Sequence, residues 1–371
     1  MQTVDVAALA ITVLWAGFAV GVAFGAIAQR SHFCTMGAVS DVVTLGDWSR
    51  ARMWALAMGV AMIGFNGMVG LGWLDSAQSF YTVPRLTWLS NLLGGAMFGF
   101  GMVLASGCGS KTLVRIGGGN LKSLIVFVVL GVAAFATLKG ITAVVRVNTL
   151  DTVATTLATR QDLPSMLAAS TGVAKSTLAW VCGLVVGSAL LVWALRRPEG
   201  RSGDVLLGGL GIGSVVAAAW WVSGRLGYVA EDPNTLQEAF VASSTGRMEG
   251  LTFVAPIGLT LDWLMFFSDK SKVLTFGVVT TLGVIVGAAA MAVATRSFRW
   301  EGFGSVEDTG NHLVGGVLMG VGGVTAMGCT IGQGLTGLST LALGSLIALG
   351  GIVGGAVLAL RYQNWRLDRM G

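Results

Sequence analysis

Two fifteen-residue segments that start 221 positions apart share eight residues at matching places: Gly94 to Cys108 reads GGAMFGFGMVLASGC, and Gly315 to Cys329 reads GGVLMGVGGVTAMGC. The shared pairs are Gly94/Gly315, Gly95/Gly316, Gly99/Gly320, Gly101/Gly322, Val103/Val324, Ala105/Ala326, Gly107/Gly328 and Cys108/Cys329. Each segment is an apolar helical pattern that stops on Gly-Cys. A chain with this self-similarity is an internal duplication, so its fold is built twice and carries a thiol at the equivalent point of each half.

Composition decides the medium. Hydrophobic residues make up 54% of the 371 and charged residues 11%, whereas soluble domains carry about a quarter charged residues. The expected fold is an all-α polytopic membrane protein, because helices satisfy their own backbone groups in lipid. Apolar runs near twenty residues predict about nine spans, at 6–28, 51–73, 88–107, 121–139, 177–195, 205–225, 273–295, 312–328 and 339–360. The first run is too long for a signal-peptide core and lacks a basic leader, so it reads as a retained span. Fifty-six glycines against five prolines suit close helix packing in lipid. The net charge of +5 lies in loops and gives no argument for a nucleic-acid partner; membrane lipid is the expected surrounding. Cys34, Cys108, Cys182 and Cys329 form no CxxC pair and no Cys/His ligand spacing, so neither a metal, nor a cofactor, nor a redox dithiol is expected.

A shift of 221 lays the second span on the seventh, the third on the eighth and the fourth on the ninth. The first aligns with the sixth at a shift of 192, through Gly17/Gly209, Gly21/Gly213 and Ser31/Ser223. The expected organisation is a first repeat over 1–146 with four spans and two cysteine turns, an outer insert with an extra fifth span over 147–203, and a second repeat over 204–371 with one cysteine turn. Five crossings separate the first span from the sixth, so the repeat is inverted. Fourteen of 23 Lys and Arg residues, among them Arg30, Arg50, Lys111, Arg115, Lys122, Arg296 and Arg366, fall on one side. The positive-inside rule then puts the N-terminus outside and the C-terminus in the cytoplasm. The long outer segments, Arg146 to Ser176 and Tyr228 to Lys272, read as interfacial helices, with a tenth span at Leu251 to Phe267 as the alternative.

The chemistry is expected where the spans break. Cys108 is followed by GSKTLVRIGGGNLKSL and Cys329 by TIGQGLTGLSTLALGSL, both too apolar and glycine-rich for solvent loops. They read as re-entrant turns leading into short membrane-embedded helices, a form of backbone tolerated at membrane depth only beside a cavity or inside protein. Gly107 and Gly328 are expected to give the turn its positive φ. The amides opening the next helix, from Gly109 and Thr330 onward, supply partial positive charge for an anion. QRSHFCTMGAVSD, from Gln29 to Asp41, has the same form around Cys34; its counterpart near Leu226 has no cysteine. Three thiols in three embedded turns suggest a soft, polarisable path for sulfur species, since a thiol is a weak donor and a weak acceptor.

Plainer roles account for the remaining residues. Cys182, inside the unpaired fifth span, reads as a small packed hydrophobe. Gly95/Gly99 and Gly316/Gly320 read as helix-packing surfaces, and Met53, Met58, Met62 and Met68 as core or lipid-facing side chains. His32 reads as an interface residue. Lys111 and Arg115 either attract an anion or simply follow the positive-inside bias, and Gln333 is either a polar liner or a turn residue. The candidate translocation residues are therefore Cys34, Cys108, Cys329, Gly107, Gly109, Gly328, Thr330 and Gln333, with no catalytic group among them.

QRSHFC at 29–34, the SGC segment with GGGNLKS at 106–123, and MGCTIGQGLTGLS at 327–339 together resemble the YeeE/YedE family of bacterial sulfur transporters, whose characterised members import thiosulfate. The resemblance covers essentially the whole chain. It implies an hourglass-like helical fold and a central path lined by Cys34, Cys108 and Cys329, with Cys108 in the middle. It further implies a cell inner membrane location, thiosulfate or a related small sulfur anion as cargo, and a transporter rather than an enzyme. A cytoplasmic sulfur-carrier protein is an open possibility as recipient. Two other readings stay open: a membrane sulfur sensor, and a membrane thiol oxidoreductase or sulfurtransferase, which needs a low-pKa cysteine beside a resolving partner.

Overall fold

The computed structural model describes residues 5–233 and 235–370. Its α-helices are α1 (Val6–Arg30), α2 (Thr35–Ser40), α3 (Ser49–Gly70), α4 (Trp88–Leu104), α5 (Gly109–Gly117), α6 (Leu121–Lys139) and α7 (Ile141–Asn148), then α8 (Leu163–Thr171), α9 (Lys175–Leu195), α10 (Gly203–Trp221), α11 (Val254–Met265), α12 (Phe276–Ala294), α13 (Val306–Thr325) and α14 (Leu343–Met370). Among the described residues, strand is confined to two short antiparallel ribbons, Arg85–Leu86 with Thr155–Thr156 and Tyr228–Val229 with Ala239–Phe240. The chain is an all-α, multi-pass membrane protein.

Among the described residues, eight helical segments are long and apolar enough to cross a membrane. They contain α1, α3, α4, α6, α9, α10, α12 and α14. The expected span absent from these eight is the eighth, 312–328; it corresponds to α13, which is 20 residues long but opens on Glu307 and Asp308. Those carboxylates meet Arg366 at 2.9 Å and Lys122 at 2.8 Å, so the polar first turn is anchored at the basic side of the molecule. The segment read as either an interfacial helix or a tenth span forms α11, twelve residues long. At 1.5 Å per residue it reaches about 18 Å, short of a hydrocarbon core of about 30 Å.

Glycine decides how the long helices meet. α4 and α13 cross antiparallel, and their shared glycines face each other's backbone. A Cβ on Gly94 would stand 2.8 Å from Gly322 O, and one on Gly322 would stand 2.7 Å from Gly94 O. The equivalent pair repeats the contact: Gly101 meets Gly315 O at 2.7 Å and Gly315 meets Gly101 O at 2.6 Å. The other glycine stripe of each helix faces outward. Gly95 and Gly99 lie on α14 beside Ala348 and Ile352, while Gly316 and Gly320 lie on α6 beside Val129 and Leu130. Gly21 and Gly25 of α1 pack on Thr280 and Val284 of α12, and Gly209 and Gly213 of α10 on Leu56 and Ala57 of α3. Small residues permit this approach, and dispersion between the close-packed backbones replaces the hydrophobic drive that lipid removes.

The segment between α6 and α9 carries two short helices, α7 and α8. α9 packs on α3, where Gly183 lies against Asn66 and Gly59 against Gly187. Outward-facing Val181, Val185 and Val192 of α9 are exposed, as an outer helix in lipid requires.

Gly320→Val is expected to lower the thermal midpoint in detergent, at a cost of about 1–3 kcal/mol or more, because its Cβ would meet Leu130 O at 2.6 Å and that backbone cannot yield. Gly354→Ala, with nothing within 4 Å of the new methyl, is expected to leave the midpoint unchanged or raise it. Equal midpoints for the two variants would refute the packing account.

Candidate functional site

Three long helices end in the same way. Two residues before each cysteine stands a residue with positive φ: His32 at 53°, Ser106 at 55° and Met327 at 58°. The residue just before each cysteine sends its N–H back five positions, Phe33 to Ala28 O at 3.2 Å, Gly107 to Met102 O at 2.8 Å and Gly328 to Gly323 O at 2.8 Å. This is the Schellman closure of a helix C-terminus. The positive φ expected at Gly107 and Gly328 thus sits one residue earlier, on Ser106 and Met327. The glycines instead provide room. A Cβ on Gly107 would stand 3.2 Å from the Lys111 side chain, and one on Gly328 3.1 Å from that of Gln333.

Each cysteine then opens a new helix. Cys34 is the N-cap of α2 and Cys108 of α5, and Cys329 precedes a helical stretch over residues 330–339. Gly119, with φ of 95°, closes the turn after α5, and Leu341, with φ of 58°, closes the turn after 330–339. Eleven positions separate Cys108 from Gly119, and twelve separate Cys329 from Leu341. The one extra residue is absorbed as a π-helical turn over Gly332–Gly337, a wide turn frequent at functional sites.

The counterpart of the Cys34 turn is not the stretch near Leu226. That stretch makes its own π-helical turn, Val222–Leu226, and the chain then makes a long excursion before α11. α2 touches α3, α4 and α14, while α11 touches α12, α13 and α6, the partners that the 221-residue shift relates. Phe253, the N-cap of α11, therefore holds the place of Cys34. It is fully buried, with its ring centroid 5.2 Å from that of Phe24. An insertion between α10 and α11 hid this equivalence from a fixed-shift comparison.

The four helix starts gather in the interior. A Cβ on Gly109 would stand 3.9 Å from Phe253 Cβ, and Thr252 Oγ1 is 4.0 Å from Cys329 Sγ. Cys329 Sγ accepts the N–H of Gly332 at 3.4 Å, and the amides of Phe253 and Ile331 also turn toward it. Cys34 Sγ accepts the N–H of Gly37 at 3.3 Å. Cys108 Sγ lies 3.2 Å from Ser110 Oγ. All four cysteines are buried free thiols. Cys108 is within electrostatic reach of both Cys34 and Cys329. Cys182 sits apart, on α9.

The polar surroundings differ between the two ends. Lys111 and Arg115 of α5 lie within electrostatic reach of Cys34. At the other end Thr330 is fully buried and its Oγ1 has no partner among the described residues. Gln333 Nε2 donates to Ala326 O at the end of α13, its Oε1 has no partner among the described residues, and the residue lines a small cavity with Tyr81, Asn91 and Ser345. A second cavity of about 200 Å³ is lined by Thr252, Gly328, Met327, Arg146 and Glu249. Glu249 Oε1 is turned into its own loop, where it accepts the N–H groups of Ser244 at 2.7 Å and Thr245 at 3.1 Å. Among the described residues no group of His, Cys, Asp and Glu could hold a metal ion. Sequence reasoning missed Phe253 because of that insertion, and Tyr81 and Thr252 because they come from loops that carry no repeat of their own.

The family described as Sulphur transport matches residues 30–358, which include all three cysteine turns. The chain belongs to that family. Among its relatives, a protein of Escherichia coli strain K12 named thiosulfate transporter TsuA is 28% identical over 328 residues, 87% of each chain. A protein of the same name from Spirochaeta thermophila is 27% identical over 344 residues, 90% of this chain and 94% of that one. A probable transporter YedE of Escherichia coli strain K12 is 32% identical, over only 26% of this chain and 22% of its own. These relatives are named as transporters, in line with a carrier rather than an enzyme.

A non-glycine residue in the left-handed region costs roughly 1–2 kcal/mol, and a β-branched side chain there is the worst case. Met327→Gly is accordingly expected to hold or raise thermal stability, and Met327→Val to lower it. A Val variant as stable as the Gly variant would remove the Schellman turn from the account.

Proposed function

We propose that the chain imports thiosulfate, or a closely related sulfur anion, across the bacterial inner membrane, with its N-terminus periplasmic and its C-terminus cytoplasmic. The reading is supported by the burial of Cys34, Cys108 and Cys329, each at the start of a short helix, with Cys108 within electrostatic reach of the other two. The cargo is that in the name of the two relatives aligned over most of this chain. In this reading, residues 1–146 and 204–371 are the two inverted units and 147–203 the outer connection.

The chemistry is set by the surroundings a dianion meets inside lipid. Stripping its water costs several kcal/mol per charge, and a fixed Lys or Arg at the narrowest point would compensate that cost but hold the ion. Helix starts offer partial positive charge through unpaired amides instead. A thiol contributes a weak donor and a soft acceptor. The anion passes Cys329, then Cys108, then Cys34, exchanging S–H···S contacts without a covalent intermediate. Gly107, Gly109 and Gly328 leave room at the turns, and Thr330 and Gln333 supply polar contacts at the outer one. Lys111 and Arg115 draw the ion onward past Cys34.

A negative interior opposes an entering anion by about 2.3 kcal/mol per charge per 100 mV. Import therefore depends on rapid consumption of the cargo, and a cytoplasmic sulfur-carrier protein at the basic side would serve that end.

Cys108→Ala is expected to reduce uptake of radiolabelled thiosulfate into reconstituted vesicles to background while membrane insertion and thermal stability persist. Cys182→Ala is expected to transport at the wild-type rate. The opposite pattern, or full uptake by Cys108→Ala, would overturn the proposal.

A further inference from the structure

Tyr81 belongs to a single 3-10 turn, Phe80–Thr82, between α3 and α4. Its backbone is fixed locally: its N–H donates to Ser79 Oγ at 3.2 Å, and Thr82 Oγ1 donates to Ser76 O and Ser79 O. The ring is held as firmly, with the Phe80 ring at 4.0 Å and the Trp220 ring edge-on at 6.2 Å. Only 4% of the residue is exposed. Yet the phenol oxygen has no hydrogen-bond partner among the described residues. A buried hydroxyl left unpaired costs about 1–3 kcal/mol, so packing alone would select phenylalanine here.

The orphan hydroxyl faces the Cys329 turn. A Cβ on Gly332 would stand 3.3 Å from Tyr81 Oη and 2.5 Å from Thr252 Oγ1. The same glycine gives its N–H to Cys329 Sγ at 3.4 Å. One thiol, one amide and two hydroxyls therefore surround a single residue that carries no side chain. Cys329 and Glu249 are the ionisable groups within electrostatic reach of the phenol, and Glu249 is already occupied by its own loop. Tyr81 also lines a small cavity of about 10 Å³ shared with Arg85, Asn91, Gln333 and Ser345.

We propose that Tyr81 is a specificity-determining residue whose hydroxyl donates to the oxygen end of a sulfur oxyanion while the sulfur end meets Cys329. This rests on the transport reading and adds to it a means of telling an oxyanion from a bare sulfur anion. A sulfur oxyanion with a terminal sulfur has two unlike ends, one soft and one hard. The thiol suits the soft end, and a hydroxyl donating to charged oxygen makes a short, charge-assisted bond that sulfide cannot accept in the same place. A neutral phenol also supplies that bond without adding to the positive charge of Arg85, which lines the same cavity.

The test is Tyr81→Phe in reconstituted vesicles, read by uptake of labelled thiosulfate, by competition with sulfide, and by the thermal midpoint. The expected result is an apparent KM for thiosulfate raised roughly tenfold, as the loss of one hydrogen bond to a charged group implies, with little change in maximal rate. Inhibition by sulfide is expected to stay as in the wild type, and the thermal midpoint to stay level or rise. An unchanged KM overturns the inference, and so does a lowered midpoint, which would show the hydroxyl to be a structural donor. An equal loss of affinity for sulfide also overturns it. Wild-type vesicles that fail to take up thiosulfate would instead overturn the parent reading, independently of Tyr81.

Discussion

The crossing of α4 and α13 sets the rest of the structure. At Gly94, Gly101, Gly315 and Gly322 no side chain fits, because each faces a backbone atom of the opposite helix at less than 3 Å from where a Cβ would stand. In lipid there is little hydrophobic gain from pressing two apolar helices together, so close packing of backbones carries the association. The two helices that end on Cys108 and Cys329 are thereby locked against each other, and the depth of both thiols is set by where the crossing is fixed. The second glycine stripe of each helix then places α14 on α4 and α6 on α13. Four helices are tied by contacts of one kind, repeated twice.

A fixed crossing is useful because the helix opened by each cysteine is short. α5 and the stretch 330–339 are too short to cross a membrane, so each begins in the interior where the long helix before it breaks off and carries the chain on to the side that helix was heading for. Their starting amides remain inside, and the same holds for α2 and α11. Unpaired N–H groups in a low-dielectric interior are costly unless something accepts from them. Two acceptors are visible: Cys34 Sγ takes Gly37 N–H, and Cys329 Sγ takes Gly332 N–H. The sulfur atoms cap the helices weakly, at 3.3 and 3.4 Å, which leaves those amides available to a stronger acceptor.

Much of this was legible in the residues. The 221-residue repeat located the crossing, and the Gly-xxx-Gly pairs at 95/99 and 316/320 were readable as packing stripes because small residues four apart share one helix face. Gly-Cys at the end of two apolar runs marked the breaks. What sequence misjudged was local geometry and equivalence across insertions. Glycine is the usual bearer of positive φ, so Gly107 and Gly328 drew that assignment, whereas Ser106 and Met327 bear it and the glycines make space. A constant shift cannot track a chain with unequal loops, so Phe253 was overlooked as the partner of Cys34. Tyr81 and Thr252 were invisible for a different reason: each reaches the Cys329 turn from a loop, and no periodicity marks a side chain whose neighbours are distant in sequence.

The replacement of a cysteine by Phe253 makes the two ends of the proposed path chemically unlike, although the helices around them are related. The inner end has Cys34, with Lys111 and Arg115 within electrostatic reach. The outer end has an aromatic ring packed on Phe24, and near Cys329 two hydroxyls, from Tyr81 and Thr252. A strictly symmetric conduit would hold an anion equally from both faces and give no reason for its two ends to differ in selectivity. On the proposed reading, the hydroxyls beside Cys329 discriminate by hydrogen bonding, where geometry counts, with Arg85 and Arg146 lining the cavities on that side, and the cations near Cys34 attract by charge, where it does not. In that reading, duplication supplies the frame and the departures from it supply the selectivity.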